Sequence, residues 1–224
     1  MRLIGKLPTQ PGILGSRNYF RSVVLIPFVL IDDEYHILFE KRADGIRQGG
    51  EVSFPGGGFD ENHDRDYRDT ALRETCEELG LQRNDLTIHR QFDTVVVPQG
   101  NMIFTFLGEI DPESFRKIAV NHREVDYSFT VPLQYFRQNE PEIYQTRSQM
   151  FPFIIDENGE KQITFPAAEL GVPAKYSKPW GNKLFPVYVY RVQGEIIWGI
   201  TGQILYELMK IVSSISKVGC AQDY

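Results

Sequence analysis

Between residues 66 and 79 the chain contains no Gly or Pro, and its apolar positions recur with a helical period. Ala71, Thr75 and Leu79 form one i, i+4 row, and Leu72 and Cys76 form the row beside it, so the five share a face. Asp66, Glu74 and Glu77 fall on the opposite side with Glu78 at its edge, and Gly80 stands where a C-terminal cap belongs. Upstream, residues 21–31 and 35–41 read as a hairpin across Asp32, Asp33 and Glu34. Pro27 inside the first strand predicts a sheet edge or a bulge. Residues 52–54 read as a short strand feeding a glycine turn at Pro55, Gly56, Gly57 and Gly58. Residues 86–97 and 102–110 form a second hairpin, 124–131 a further strand, and 132–138 a short helix with Pro in its first turn. The pattern then weakens, with short strands expected at 143–146, 151–155 and 162–165. It sharpens again in strands at 184–192 and 195–198 and in a last helix from Ile200. The expected buried face of that helix is Ile200, Ile204, Leu208, Ile211 and Ile215, joined by Leu205 and Val212. Strands interspersed with two long helices predict an α/β fold, an α/β/α sandwich with a mixed sheet and one helix on each face.

The organisation that follows is an irregular lead-in at 1–20, a single domain at 21–218 and a short tail at 219–224. The 139–183 stretch is expected to be an insertion over the site or an oligomer surface, such as that of a homodimer. The 224 residues suffice for one sizeable core, and 42% hydrophobic and 24% charged residues are ordinary for a globular protein. A net charge of −6 argues against a nucleic-acid surface and against anionic membranes. Any polyanionic substrate then needs metal ions or a focused patch of Arg. Only Cys76 and Cys220 are present, which excludes a disulfide framework and a Cys/His zinc site. Residues 1–20 lack the apolar segment of a signal peptide, and the longest apolar run, 23–31, is too short to span a bilayer, so the expected location is cytoplasmic.

The acidic face of the first helix needs an offset. Like charges at i, i+3 and i, i+4 cost roughly 0.2–0.5 kcal/mol per pair, and negative charge in the C-terminal half opposes the helix dipole. Arg73 neutralises part of it, and a divalent cation with hard oxygen ligands is the natural remainder. The neighbouring glycines allow backbone to approach a metal or phosphate closely.

The run Arg73-Glu74-Thr75-Cys76-Glu77-Glu78-Leu79-Gly80-Leu81 resembles the second half of the Nudix box, G-x5-E-x7-R-E-U-x-E-E-x-G-U, with Thr75 at the first apolar position U. The first half departs: one inserted residue is needed to read Gly58-x5-Asp64, with Asp for Glu, and Glu61 or Asp60 could serve in place of Asp64. The resemblance implies a Nudix fold and metal ligation by Glu74, Glu77 and Glu78, with a backbone carbonyl of Gly57 or Gly58 completing the shell. Glu77 and Arg73 count among the catalytic residues it implies. Asn121-His122-Arg123-Glu124-Val125 is similar to a later segment of the family, which makes Glu124 the candidate general base.

Residues 39–57 also resemble the motif that precedes the box in the coenzyme A-cleaving Nudix subgroup: Arg42, Arg47, Gly50, Val52 and Phe54 to Gly57 fit, while Ala43 replaces Ser and one residue is missing after Arg47. The segments 186–190 and 197–201 look like that subgroup's C-terminal part. What the resemblance implies is a Mg²⁺- or Mn²⁺-dependent hydrolase of a small-molecule nucleotide. Arg42 and Arg47 would bind phosphate, as guanidinium groups do bidentately. Coenzyme A is the first substrate reading, ADP-ribose, NADH or another nucleoside diphosphate the second, and a ligand-binding regulator without turnover the third.

Overall fold

The structure, a computed structural model, describes residues 12–219; residues 1–11 of the lead-in, Cys220 and the rest of the tail lie outside the described residues. The chain divides between Asn139 and Glu140 into two compact units.

The first unit grows from a hairpin. Asp32 and Asp33 both take left-handed backbone, φ 48° and 63°, which Asp tolerates because its short side chain bonds locally. That two-residue turn folds β1 (Phe20–Ile31) directly onto β2 (Glu34–Arg42). Among the described residues, seven strands then form one mixed sheet in the order β3 (Val52–Ser53), β2, β1, β6 (Asn101–Ile110), β5 (Leu86–Val97); β4 (Gly56–Gly58) pairs with β1 and β7 (Val125–Pro132) with β2. Only the β1–β6 pairing of this sheet is parallel among the described residues. The α/β class and mixed sheet are those the sequence predicts. Two details are not. Pro27 lies in a central strand rather than at an edge: on that side of β1 the partner changes from β4, ending at Val24, to β2, starting at Phe28, and the missing N–H falls in the gap. The glycines expected as a turn form strand β4 instead, antiparallel to β1 with Val23 opposite Gly57.

Alternation along β1 and β2 assigns the two faces. Val23, Leu25, Val29 and Leu38 face α1 (Tyr67–Leu79) and pack with its Ala71 and Leu79, and with Phe106 and Ile110 of β6. Phe39 points the other way, its ring 5.1, 5.7 and 5.9 Å from those of Phe54, Phe129 and Phe136. Phe136 belongs to the short helix α3 (Leu133–Gln138), which follows the single turn α2 (Pro112–Phe115) in chain order. Helix α1 begins with Asp66 as N-cap, accepting from the Asp69 N–H at 2.8 Å, and ends on Gly80 at φ 67°. Cys76 lies half-buried against this core, and burial pushes its thiol up to about 11. Thr75 is fully buried with no partner for its hydroxyl. Thr75→Val should therefore raise stability by about 1 kcal/mol, read as a higher melting temperature.

In the second unit β8 (Glu142–Met150), β11 (Trp180–Val192) and β12 (Glu195–Ile197) form an antiparallel sheet, and β9 (Phe153–Ile155) pairs with β10 (Lys161–Ile163). Helix α4 (Gly199–Gly219) packs on β11, with the Tyr188 and Tyr206 rings stacked at 4.0 Å. Its buried face differs from the expected one: Gly202, Ile204, Leu205, Leu208 and Met209 are buried, whereas Ile211 and Ile215 are 42% and 65% exposed. Gly202 sits so close to Tyr188 that a Cβ would fall 2.4 Å from its carbonyl oxygen, and burial against β11 ends at Met209. No helix among the described residues is long and apolar enough to cross a membrane.

Candidate active site

Strand β4 brings backbone to the C-terminal half of α1. Because Gly57 pairs with Val23, it faces the helix, and a Cβ there would lie 2.3 Å from the carboxyl carbon of Glu74. One residue earlier, the Gly56 N–H donates to Glu78 Oε2 at 2.8 Å. Gly56 itself admits no side chain, since a Cβ would fall 2.1 Å from the Val23 carbonyl oxygen and its φ is 154°. Gly58 is turned toward the Phe20 ring. The structure thus gathers Glu74, Glu78, Gly56 and Gly57, and leaves Glu77 on the rim with 57% of its side chain exposed. A Cβ at Gly57 would push aside the Glu74 carboxylate, whose three atoms lie 2.3–2.6 Å from it. Gly57→Ala should therefore keep the circular dichroism spectrum while weakening Mn²⁺ binding, measured by calorimetric titration, by about tenfold or more.

Glu78, expected at the edge of the acidic face as a cation ligand, is 2% exposed. Burial raises its carboxyl to about 9, and the nearby charge of Glu40 adds to the rise. Glu40 is a site residue the sequence reading passed over. It is fully buried, accepts from Ser53 Oγ at 3.0 Å through Oε1, has Arg42 Nη1 3.9 Å away, and keeps Oε2 without a partner. Burial raises it to about 7. A charged residue directly after the apolar run Ile37, Leu38 and Phe39 of a central strand was the available signal. Glu74 is also raised by burial, with the Arg73 charge opposing.

Arg73 organises the rest. Its Nε and Nη2 donate to the two oxygens of buried Asp64 at 2.8 and 3.0 Å, its Nη2 also reaches Glu74 at 2.9 Å, and its Nη1 reaches Glu77 at 3.2 Å. Asp64 further accepts from Thr70 Oγ1 and the Asp60 N–H, both at 3.0 Å. The Arg73 guanidinium holds its carboxyl down to about 2. Of the three acids the box loop offers, Asp64 clamps Arg73, Glu61 pairs with Arg21, and Asp60 pairs with His63 at 2.8 Å.

Arg42 and Arg47 lie on a loop that doubles back, with Arg42 N–H donating to Glu51 O and Gly50 N–H to Arg42 O, both at 2.9 Å. Arg42 Nε bonds the Arg47 carbonyl at 3.3 Å, so Arg42 braces the loop beside Glu40, and Arg47 is exposed. Glu124 is exposed; its carbonyl accepts from Ala43 N–H at 2.9 Å, and its charge is felt by Glu40 and Glu74. It therefore borders the carboxylate cluster, while His122 is simply exposed.

As they stand, no three His, Cys, Asp or Glu side chains among the described residues form a ready-made metal cage. Arg73 occupies an oxygen of Glu74. The donor set nevertheless suits a hard cation: every group is an oxygen, the carboxylates are buried beyond what two guanidinium groups neutralise, and Glu40 Oε2 is an orphaned buried acceptor.

A match to the NUDIX domain spans residues 20–154. "Nudix hydrolase 3" of Caenorhabditis elegans is 36% identical over 113 residues, 49% of this chain and 46% of that protein. The human "Mitochondrial coenzyme A diphosphatase NUDT8" is 35% identical over 150 residues, 62% of each chain. The mouse "Peroxisomal coenzyme A diphosphatase NUDT7" is 34% identical over 130 residues, 58% of this chain and 52% of that protein. The matches thus span between 46% and 62% of the length of these curated relatives.

Proposed function

The chain belongs to the NUDIX domain family, and on that premise we propose that it is a Mg²⁺- or Mn²⁺-dependent diphosphatase. The pyrophosphate bond cleaved is that of coenzyme A or its derivatives, and the products are adenosine 3′,5′-bisphosphate and 4′-phosphopantetheine. One observation carries the reading: Glu74 and Glu78, one helical turn apart, are held against the backbone of Gly56 and Gly57 with too little positive charge around them. Glu74, Glu78 and the Gly57 backbone would hold the cation, and Glu77 would join from the rim. The cation, when bound, neutralises the pyrophosphate and acidifies water. Arg73 positions Glu74 through the fork it makes with Asp64. Glu124 accepts the proton as the attacking water's oxygen bonds to phosphorus and the bridging P–O bond breaks. Arg47, exposed on its loop, takes a substrate phosphate, with Arg42 behind it. The coenzyme A diphosphatase names of the human and mouse relatives support coenzyme A over other diphosphates.

The test is a panel of coenzyme A, dephospho-coenzyme A, ADP-ribose and NADH with Mg²⁺ or Mn²⁺, products separated by chromatography. Coenzyme A should give the highest kcat/KM, and Arg47→Ala should raise its KM about tenfold with kcat unchanged. Better turnover of ADP-ribose or NADH would replace coenzyme A as substrate. No turnover of any would leave a ligand-binding regulator.

A further inference from the structure

The acids that the box places on α1 are not the whole negative cluster. Glu40 stands on β2, in a different element, 34 positions upstream of Glu74. Its orientation follows from alternation. Leu38 faces α1 in the core, and Glu40, two residues on, points to the same side. The register agrees, because Ser53, directly opposite Glu40 on β3, donates its hydroxyl to Oε1. Phe39 between them faces the aromatic stack on the other side of the sheet.

A fully buried carboxylate oxygen with no donor is rare in a folded protein, because water is lost and nothing replaces it. Arg42 does not solve this: it stands 3.9 Å from Oε1, the oxygen Ser53 already serves, and spends its Nε on the loop carbonyl of Arg47. Nor does Arg73, whose donors go to Asp64, Glu74 and Glu77. Around Glu78, Glu40 is the neighbouring charge that weighs most, so the two carboxylates share one region. Two buried carboxylates in one region, one with an unpartnered oxygen and the other held by a single backbone N–H, form a donor set that suits a hard cation.

We propose that Glu40 is a further ligand of the divalent-cation site, reaching the cation through Oε2 from the β2 side while Glu74 and Glu78 reach it from α1. The inference rests on the reading of Glu74 and Glu78 as cation ligands. It makes the site a clamp between sheet and helix rather than a feature of the helix alone. Cation binding would then tie β2 to α1 and would be felt in the stability of the whole first unit.

The test uses the full chain without substrate. Mn²⁺ is titrated into wild type, Glu40→Gln and Glu78→Gln at pH 7.5, with free Mn²⁺ followed by electron paramagnetic resonance and the melting temperature recorded with and without the ion. Glu40→Gln should weaken Mn²⁺ binding by about 10–100-fold and shrink the Mn²⁺-induced rise in melting temperature, as Glu78→Gln does. If Glu40→Gln binds Mn²⁺ as wild type does while Glu78→Gln does not, Glu40 is no ligand, and the α1 site stands without it. If wild type binds no Mn²⁺ at millimolar concentration, the cation site and the role of Glu40 both fall. Should Glu40→Gln not fold, Glu40→Asp serves, since it keeps the charge but withdraws the oxygen by one methylene. Wild-type affinity in that variant overturns the inference, and weakened affinity supports it.

Discussion

Glu78→Gln should abolish metal-dependent turnover, lowering kcat by about 10³-fold, the order of several kcal/mol of charge stabilisation, and should at the same time stabilise the metal-free protein at alkaline pH. The two effects share a cause. Glu78 is buried beside Glu40 and near Glu74, and burial raises its carboxyl to about 9. In the unfolded chain a Glu titrates near its ordinary value, about 4.3. Between those values the native state holds a proton that the unfolded state has lost. Stability is therefore fully present below the ordinary Glu range and declines as pH rises toward 9. Gln is neutral at every pH and can still accept from the Gly56 N–H. In the presence of a chelator, wild type should lose melting temperature steadily from pH 5 to pH 9, and the variant should lose distinctly less. Mn²⁺ should restore wild type at pH 8 and raise the variant much less, because a ligand that binds only the native state stabilises it by mass action. A variant that still turns over substrate would remove Glu78 from the site.

Arg73→Ala should cost about 3–5 kcal/mol, the range for removing one partner of a buried ion pair. Asp64, its side chain fully buried, would lose both hydrogen bonds from the guanidinium and keep only Thr70 Oγ1 and the Asp60 N–H. Arg73→Lys should recover little, because an ammonium cannot present two parallel donors to one carboxylate and still reach Glu74. The acid limb carries the signature. Asp64 is held down to about 2, below its unfolded value, so its stabilisation is present above about pH 4 and is lost as pH falls toward 2. Chemical denaturation at pH 7 and pH 3 should show a large gap between wild type and Arg73→Ala at the higher pH and a narrowed one at the lower. Equal midpoints at pH 7 would show that the clamp contributes nothing to stability.

Much of this was legible in order along the chain, and the misses have a common character. The helix around the acidic run, its Asp66 and Gly80 caps and the apolar row Ala71, Thr75 and Leu79 could be read because they depend on neighbours within a few residues. The same holds for the hairpins, where Asp32 and Asp33 or Gln193 and Gly194 set the reversal. The rule of periodicity failed at Ile211 and Ile215, which keep the helical spacing of a buried row on α4 yet lie beyond the stretch buried against β11. It failed also at Glu40, because a period of two marks that position of β2 as core-facing but does not say which distant groups a carboxylate there would meet.

Sequence by itself determined which segments become strands and helices, that the fold would be of the α/β class with a mixed sheet, and which helix carries the glutamates, since caps, turn residues and 3.6- and 2-residue periods act locally. Only tertiary structure decided what those glutamates experience. The pairing of β4 on β1 presses Gly57 against Glu74 and gives Glu78 a backbone donor. The register of β2 between β1 and β7 buries Glu40 on the same side. The box loop folds back so that Asp64 rather than Glu61 or Asp60 receives Arg73. Burial and partnering of a charge depend on which distant segment comes to rest beside it, and chain spacing carries no record of that.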